Sequence, residues 1–231
     1  APPSRRGPLP RWRRQAGQPN RVSFGDYQRL APSDGTVQGP HQENMPGDPA
    51  RSNTRLLAFI CEEPSERGGA TALFDMQEAW RRLPADLQAL LRGSSFEFPM
   101  IRGDWQKSPC VIENELSGTP ALQFYGFGSV ASECVARYRE VTGRQEVVLD
   151  PFTYGVHPTR GVLLVNDTDD ERVPFEGDLL RRTVAAIYES MLVHEWSRGE
   201  VLLVDNVRWA HARLEGSGLG RKLNFVIYGR A

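Results

Sequence analysis

The stretch Gly39-Pro40-His41-Gln42-Glu43-Asn44-Met45-Pro46 sets an imidazole and a carboxylate two residues apart in a segment bracketed by prolines. In extended backbone, residues i and i+2 point to one side with Cα atoms about 6–7 Å apart, so both groups can converge on one metal ion. Spacing alone does not decide the matter. With 29 acidic residues and four histidines in 231, composition supplies roughly 0.5 His-x-acid pairs by accident. Read by itself the pair is a polar surface loop, and the further ligand has to come from elsewhere in the chain.

Three other histidines are available. His157 precedes Pro158 in a loop, and His194 opens "HEWSR", which lacks the second histidine that a zinc-protease helix requires. His211 follows the β-rich run "VLLVDN" and precedes the basic pair Arg221-Lys222 at the start of the last strand, which makes it the best third ligand. Two imidazoles and one carboxylate on one face leave three positions of an octahedron open, the arrangement of non-haem Fe(II) oxygenases. Zinc accepts the same ligand types. An α-keto acid chelating iron would carry a distal carboxylate, whose burial demands a partner. Arg221, ten residues after His211, has the planar fork for it, and Thr71 in "GGATALFD" offers a hydroxyl. Lys222 competes with Arg221, but strand alternation turns only one of them inward.

"PHQENMP", "RLLAFICEEPSERGGATALFD" and "GEVLLVDNVRWAHARL…GRKLNF" resemble the signature blocks of the taurine dioxygenase and clavaminate synthase-like superfamily of Fe(II)/2-oxoglutarate-dependent oxygenases. The resemblance covers about residues 39–80 and 198–228. It implies a double-stranded β-helix, with His41, Glu43 and His211 as catalytic metal ligands and Thr71 and Arg221 on the distal carboxylate of the 2-oxoglutarate co-substrate. Many relatives carry Asp at the position of Glu43, whereas the clavaminate synthase-like branch uses Glu. Halogenating relatives replace this acid with a small residue, so Glu43 points to hydroxylation or a related oxidation. Family members usually have more chain ahead of the motif than the 40 residues here.

The elements that must position these groups are mostly strands. "TRLLAFICEE" (Thr54–Glu63), "ATALFD", "RGVLLVND", "GEVLLVDN" and "KLNFVIYGR" are short apolar runs bounded by turn residues. A further short strand is expected around Arg21–Phe24. The middle, Ser94–Gly128, alternates β-type runs and turns. Helical spacing covers Met76–Arg92, with Pro84 expected to split it, then Val130–Thr142 and Glu176–Leu192. The expected fold class is mainly β with flanking helices, a double-stranded β-helix or jelly roll. One oxygenase domain is expected over residues 1–231, with residues 1–21 a basic flexible arm or flap; the "IRGDWQKSP" segment (Ile101–Pro109) is a second candidate lid.

No apolar run approaches the ~18 residues of a membrane span, and residues before Arg21 contain no apolar signal stretch. A cytoplasmic protein is expected, with Cys61, Cys110 and Cys134 reduced and mostly in the core. Six arginines from Arg5 to Arg21 meet no acid before Asp26, but no aromatic platform follows, so nucleic acid is not an expected partner. The function expected is oxidation, most simply hydroxylation, of a C–H bond in a small amino acid or amino-acid-derived metabolite, in natural product biosynthesis. Arg102, Arg208 and Arg213 are candidates for its carboxylate, and Trp209 for the pocket wall. The alternatives are a zinc-dependent hydrolase on the same site and a non-catalytic jelly-roll binding module.

Overall fold

The computed structural model describes residues 21–24, 27–30, 36–43, 53–99, 105–115, 117–149, 161–217 and 221–230. The arm up to residue 20, Arg102 and His157 lie outside them. One antiparallel sheet has five strands in the order β1-β2-β12-β3-β10, where β1 is Arg21–Phe24, β2 Tyr27–Leu30, β3 Asn53–Glu63, β10 Val201–Asp205 and β12 Lys222–Arg230. A second has three, β9-β4-β11, from Met191–His194, Thr71–Asp75 and Trp209–Arg213. A third, β8-β7-β5-β6, is built from Arg172–Pro174, Leu163–Asn166, Ser94–Pro99 and Trp105–Pro109. This is the mainly β jelly-roll class expected from the sequence. Four α-helices accompany it among the described residues: α1 Met76–Arg82, α2 Ala85–Arg92, α3 Ala131–Thr142 and α4 Gly177–Tyr188.

Strand alternation divides the interior in two. On β4, Ala72 and Phe74 face a large core that includes Trp80 of α1, Leu87 of α2, Val135 of α3 and Val184 of α4. Leu73, between them, packs with Trp209 and Trp196 against Leu57, Phe59, Cys61, Val204, Leu223 and Phe225 of the five-stranded sheet. Register explains why β11 contributes to the same side: His211 lies opposite Leu73, and Arg213 opposite Thr71. The side chains that could do chemistry therefore project into the space between the five-stranded and three-stranded sheets. Burial of each large apolar group there contributes roughly 1.5–3 kcal/mol.

Two expectations need correction. The helix expected to run to Leu192 stops at Tyr188, because Met191–His194 pairs with β4 as an edge strand. The apolar run Met191-Leu192-Val193 continues the helical period by coincidence, and only sheet pairing distinguishes the two. The second concerns the candidate lid Ile101–Pro109: residues 101–104 lie outside the described ones, and Trp105–Pro109 is a strand paired along its length with β5. Trp105 is exposed, yet its backbone belongs to a four-stranded sheet. Pro84 does split the helical segment, with α1 ending at Arg82 and α2 starting at Ala85.

Asp75 ties the helical layer to the site. Its Oδ1 caps α1, accepting from Gln77 N at 3.1 Å and Glu78 N at 3.2 Å. Its Oδ2 accepts from Arg208 Nη2 at 2.6 Å, three residues before His211. Burial by itself would raise the Asp75 carboxyl, but the Arg208 hydrogen bond and the two cap N–H groups outweigh it and hold the pKa below the ordinary value. A depressed carboxylate stabilises the fold above its unfolded pKa of about 3.9 and loses that contribution as the pH falls through the folded value. Asp75→Ala is expected to cost about 1–2 kcal/mol at neutral pH. In urea unfolding across pH, the gap to the unaltered protein should be constant near neutrality and shrink in acid.

Candidate metal centre and anion cradle

His41 and His211 meet through the backbone. His41 N donates to His211 O at 3.0 Å, and His211 N donates to His41 O at 2.9 Å. Such a reciprocal pair is the hydrogen-bonded site of an antiparallel ladder, in which facing side chains stand on one side. The two imidazole rings accordingly lie 4.4 Å apart, centroid to centroid. His41 also bridges Tyr125 on its other flank. His41 Nδ1 lies 3.0 Å from Gly39 O. A carbonyl only accepts, so Nδ1 carries the proton and Nε2 keeps a lone pair for a metal.

Glu43 is brought to the same point by a buried amide. Asn206 Oδ1 accepts from Glu43 N at 2.9 Å, while Asn206 Nδ2 donates to Glu43 O at 2.8 Å and Thr54 O at 3.0 Å. Between the two candidate ligands, Gln42 turns away: its Nε2 donates to Leu122 O at 3.0 Å and its Oε1 accepts from Phe124 N at 2.8 Å. Alternation and these two clamps leave His41 and Glu43 on one side. One ligand atom from each of His41, Glu43 and His211 lies within 4.8 Å of the others, and all three residues are buried. That spread suits ligands about 2.0–2.2 Å from a shared ion after small side-chain adjustments. The imidazoles are flanked by Phe127, 4.5 Å from the His41 ring, and Phe59, 5.2 Å from the His211 ring.

A second polar group lies in the same inter-sheet space. Arg221, 3% exposed, has no hydrogen-bond partner for Nε or Nη1 among the described residues. Burial, reinforced by the charge of Arg213, pushes its guanidinium down to about 10, so it remains charged at neutral pH. A buried cation with idle donors is costly unless an anion completes it. Lys222, the alternative, points outward and pairs with Glu63 at 2.7 Å. Thr71, also buried, faces Arg213 across β4 and β11. The chemistry of this donor set fits a carboxylate beside a metal held by two imidazoles and a carboxylate.

Other sequence candidates are occupied elsewhere. Arg208 is committed to Asp75, Arg213 Nη2 donates to Thr36 Oγ1 at 2.8 Å, and Trp209 packs in the inter-sheet core. His194 is 3.6 Å from Glu200 on the far flank of β4. Asn206, Gln42 and the pair Gly39 and Gly126 were not singled out in the sequence. The "DN" turn five residues before His211 was the available signal for Asn206.

The model of one protein family, described as taurine catabolism dioxygenase TauD, TfdA family, matches residues 4–226. The chain belongs to this family. Among solved structures, the PvcB protein from Pseudomonas aeruginosa aligns with a TM-score of 0.58 at 17% identity, covering 89% of this chain and 64% of that one. Asparagine oxygenase in complex with Fe(II), 2S,3S-3-hydroxyasparagine and succinate aligns at 0.56 and 15% identity, covering 87% and 56%. A taurine dioxygenase from Burkholderia xenovorans aligns at 0.55 and 15% identity, covering 89% and 62%. The TauD-family chain thus spans less than two thirds of the length of these proteins, and the likeness establishes the shared fold. No curated protein sequence matches it.

In this family member the loop carrying His41 is pressed against Gly126 so closely that a side chain is excluded. A Cβ on Gly126 would stand 2.5 Å from Pro40 O and 2.8 Å from Gly39 C. Gly126→Ala is expected to displace His41 and weaken Co(II) binding at least tenfold in calorimetric titration. Gly93→Ala, where an added Cβ meets nothing within 4 Å, should bind the ion as the unaltered protein does.

Proposed function

We propose that the chain is an Fe(II)/2-oxoglutarate-dependent oxygenase in which His41, Glu43 and His211 hold the iron and Thr71 and Arg221 hold the distal carboxylate of 2-oxoglutarate. The observation that carries this reading is the convergence of the three buried candidate ligands within 4.8 Å in a chain of the TauD, TfdA family. Ferrous iron and 2-oxoglutarate held there would activate dioxygen, the oxidant, which would take two electrons from 2-oxoglutarate, giving succinate and carbon dioxide, and two from a C–H bond of the substrate.

The chain's own residues bind, orient and exclude water. Gly39 O holds the Nδ1 proton of His41, so Nε2 presents its lone pair without rotation of the ring. Asn206 fixes the backbone of Glu43 from both sides, which removes freedom from the carboxylate that offsets the metal's charge. Arg221 contributes a charge already desolvated, so a carboxylate reaching it meets donors in a low-dielectric space. Phe59 and Phe127 flank the imidazoles and limit water at the reacting centre. A zinc hydrolase would share the three ligands but leave the idle Arg221 donors unexplained.

We infer a small amino acid or amino-acid derivative as substrate. Support comes from the neighbours named for asparagine and taurine. No helix among the described residues is long and apolar enough to cross a membrane. The test is anaerobic loading with Fe(II) and 2-oxoglutarate, admission of air, and detection of succinate over a panel of amino acids. His41→Ala is expected to abolish iron binding. Arg221→Ala should retain the metal while weakening 2-oxoglutarate by about 2–5 kcal/mol, as for a lost partner in a buried pair. Metal binding with no succinate from any amino acid or derivative would overturn the substrate class, and unaltered 2-oxoglutarate affinity in Arg221→Ala would overturn its role.

A further inference from the structure

Between β9 and β10, the half-buried Trp196 directs its indole into the inter-sheet space, where Nε1 donates to Thr71 Oγ1 at 3.0 Å. An indole N–H only donates, whereas a hydroxyl has one hydrogen and two lone pairs. The bond therefore uses a Thr71 lone pair and leaves the Thr71 O–H for a different acceptor. Thr71 is 3% exposed, and no described residue accepts that hydrogen. Buried hydroxyls without an acceptor are costly, and Arg221, with idle donors, is close enough to Arg213, the residue opposite Thr71, for that charge to act on it.

Trp196 is itself firmly placed. Its ring meets His194 edge-on, 4.4 Å between centroids at 88°, and lies 6.3 Å from Phe59. His194 stands directly across β9 and β4 from Thr71, so the strand that buttresses the indole is registered on the hydroxyl it serves. Without the indole, the hydroxyl rotor would have alternative orientations and could spend its hydrogen elsewhere.

We propose that Trp196 is a positioning residue for the keto-acid co-substrate: by occupying one lone pair of Thr71, its N–H aims the Thr71 O–H at the distal carboxylate. This rests on the assignment of Thr71 and Arg221 to 2-oxoglutarate. The hydrogen bond that Trp196 makes to Thr71 is the link through which the proposed effect passes.

Calorimetric titration of 2-oxoglutarate into the Zn(II)-loaded protein tests this without turnover. Trp196→Phe is expected to weaken binding roughly three- to tenfold, the scale of one hydrogen bond, with Zn(II) affinity unaltered. Thr71→Val should weaken it at least as much, and adding Trp196→Phe to Thr71→Val should bring no further loss. Unchanged affinity in Trp196→Phe, or an equal loss in the Thr71→Val background, overturns the proposal and leaves Trp196 a packing residue. Should Trp196→Phe fail to fold, the indole 15N–1H resonance displaced by Thr71→Val reports instead: saturating 2-oxoglutarate must shift it in the unaltered protein, and a resonance that stays in place overturns the proposal. If the unaltered Zn(II) protein binds no 2-oxoglutarate, the assignment of Thr71 and Arg221 fails, and the proposal with it. Binding there with no effect of Trp196→Phe sinks the proposal alone.

Discussion

The reciprocal backbone bonds between His41 and His211 are the constraint on which the site depends, since they join a proline-bounded loop to the middle of β11, 170 residues later. Two imidazoles on long, freely rotating arms would lose much of any metal affinity to ordering. Here the ladder sets their separation before an ion arrives, and the Gly39 carbonyl sets the tautomer. Each neighbouring device protects that pairing. Gly126 permits the close approach of the loop, Gln42 anchors its far side, and Asn206 extends the registration by two residues to Glu43.

Electrostatics divide the molecule along the same line as packing. On the helical side Asp75 caps α1 and grips Arg208, and on the outer face of the five-stranded sheet Lys222 turns outward to Glu63. Between the sheets, Arg221 is buried with donors to spare. A fold under selection for stability alone has no reason to retain that arrangement, because desolvation of an uncompensated guanidinium opposes folding. An anionic ligand that completes the cradle is returned that energy on binding, which is how an unfavourable feature of the empty fold becomes affinity.

Much of the architecture was legible in the sequence because its signals are local. Apolar runs bounded by turn residues marked β3, β4, β10 and β12, and Pro84 marked the break between α1 and α2. The failures were equally physical. Met191–His194 carries apolar residues that satisfy a helical period as well as a strand, and its pairing with β4 decided between them. Trp105–Pro109 looked like a lid because glycine and proline flank an exposed tryptophan, whereas its backbone bonds go to β5.

For the candidate site, residue type and spacing, together with the resemblance of three sequence blocks to one superfamily, put forward His41, Glu43, His211, Thr71 and Arg221 as candidates. Supporting contacts were beyond that reach. Asn206 on Glu43, Trp196 on Thr71 and Gly126 under Pro40 are each set by segments distant in sequence. Chemistry is a property of the side chain and can be read from the sequence. Distance, tautomer and the direction of a hydroxyl hydrogen belong to the packed sheets, where register determines which groups meet.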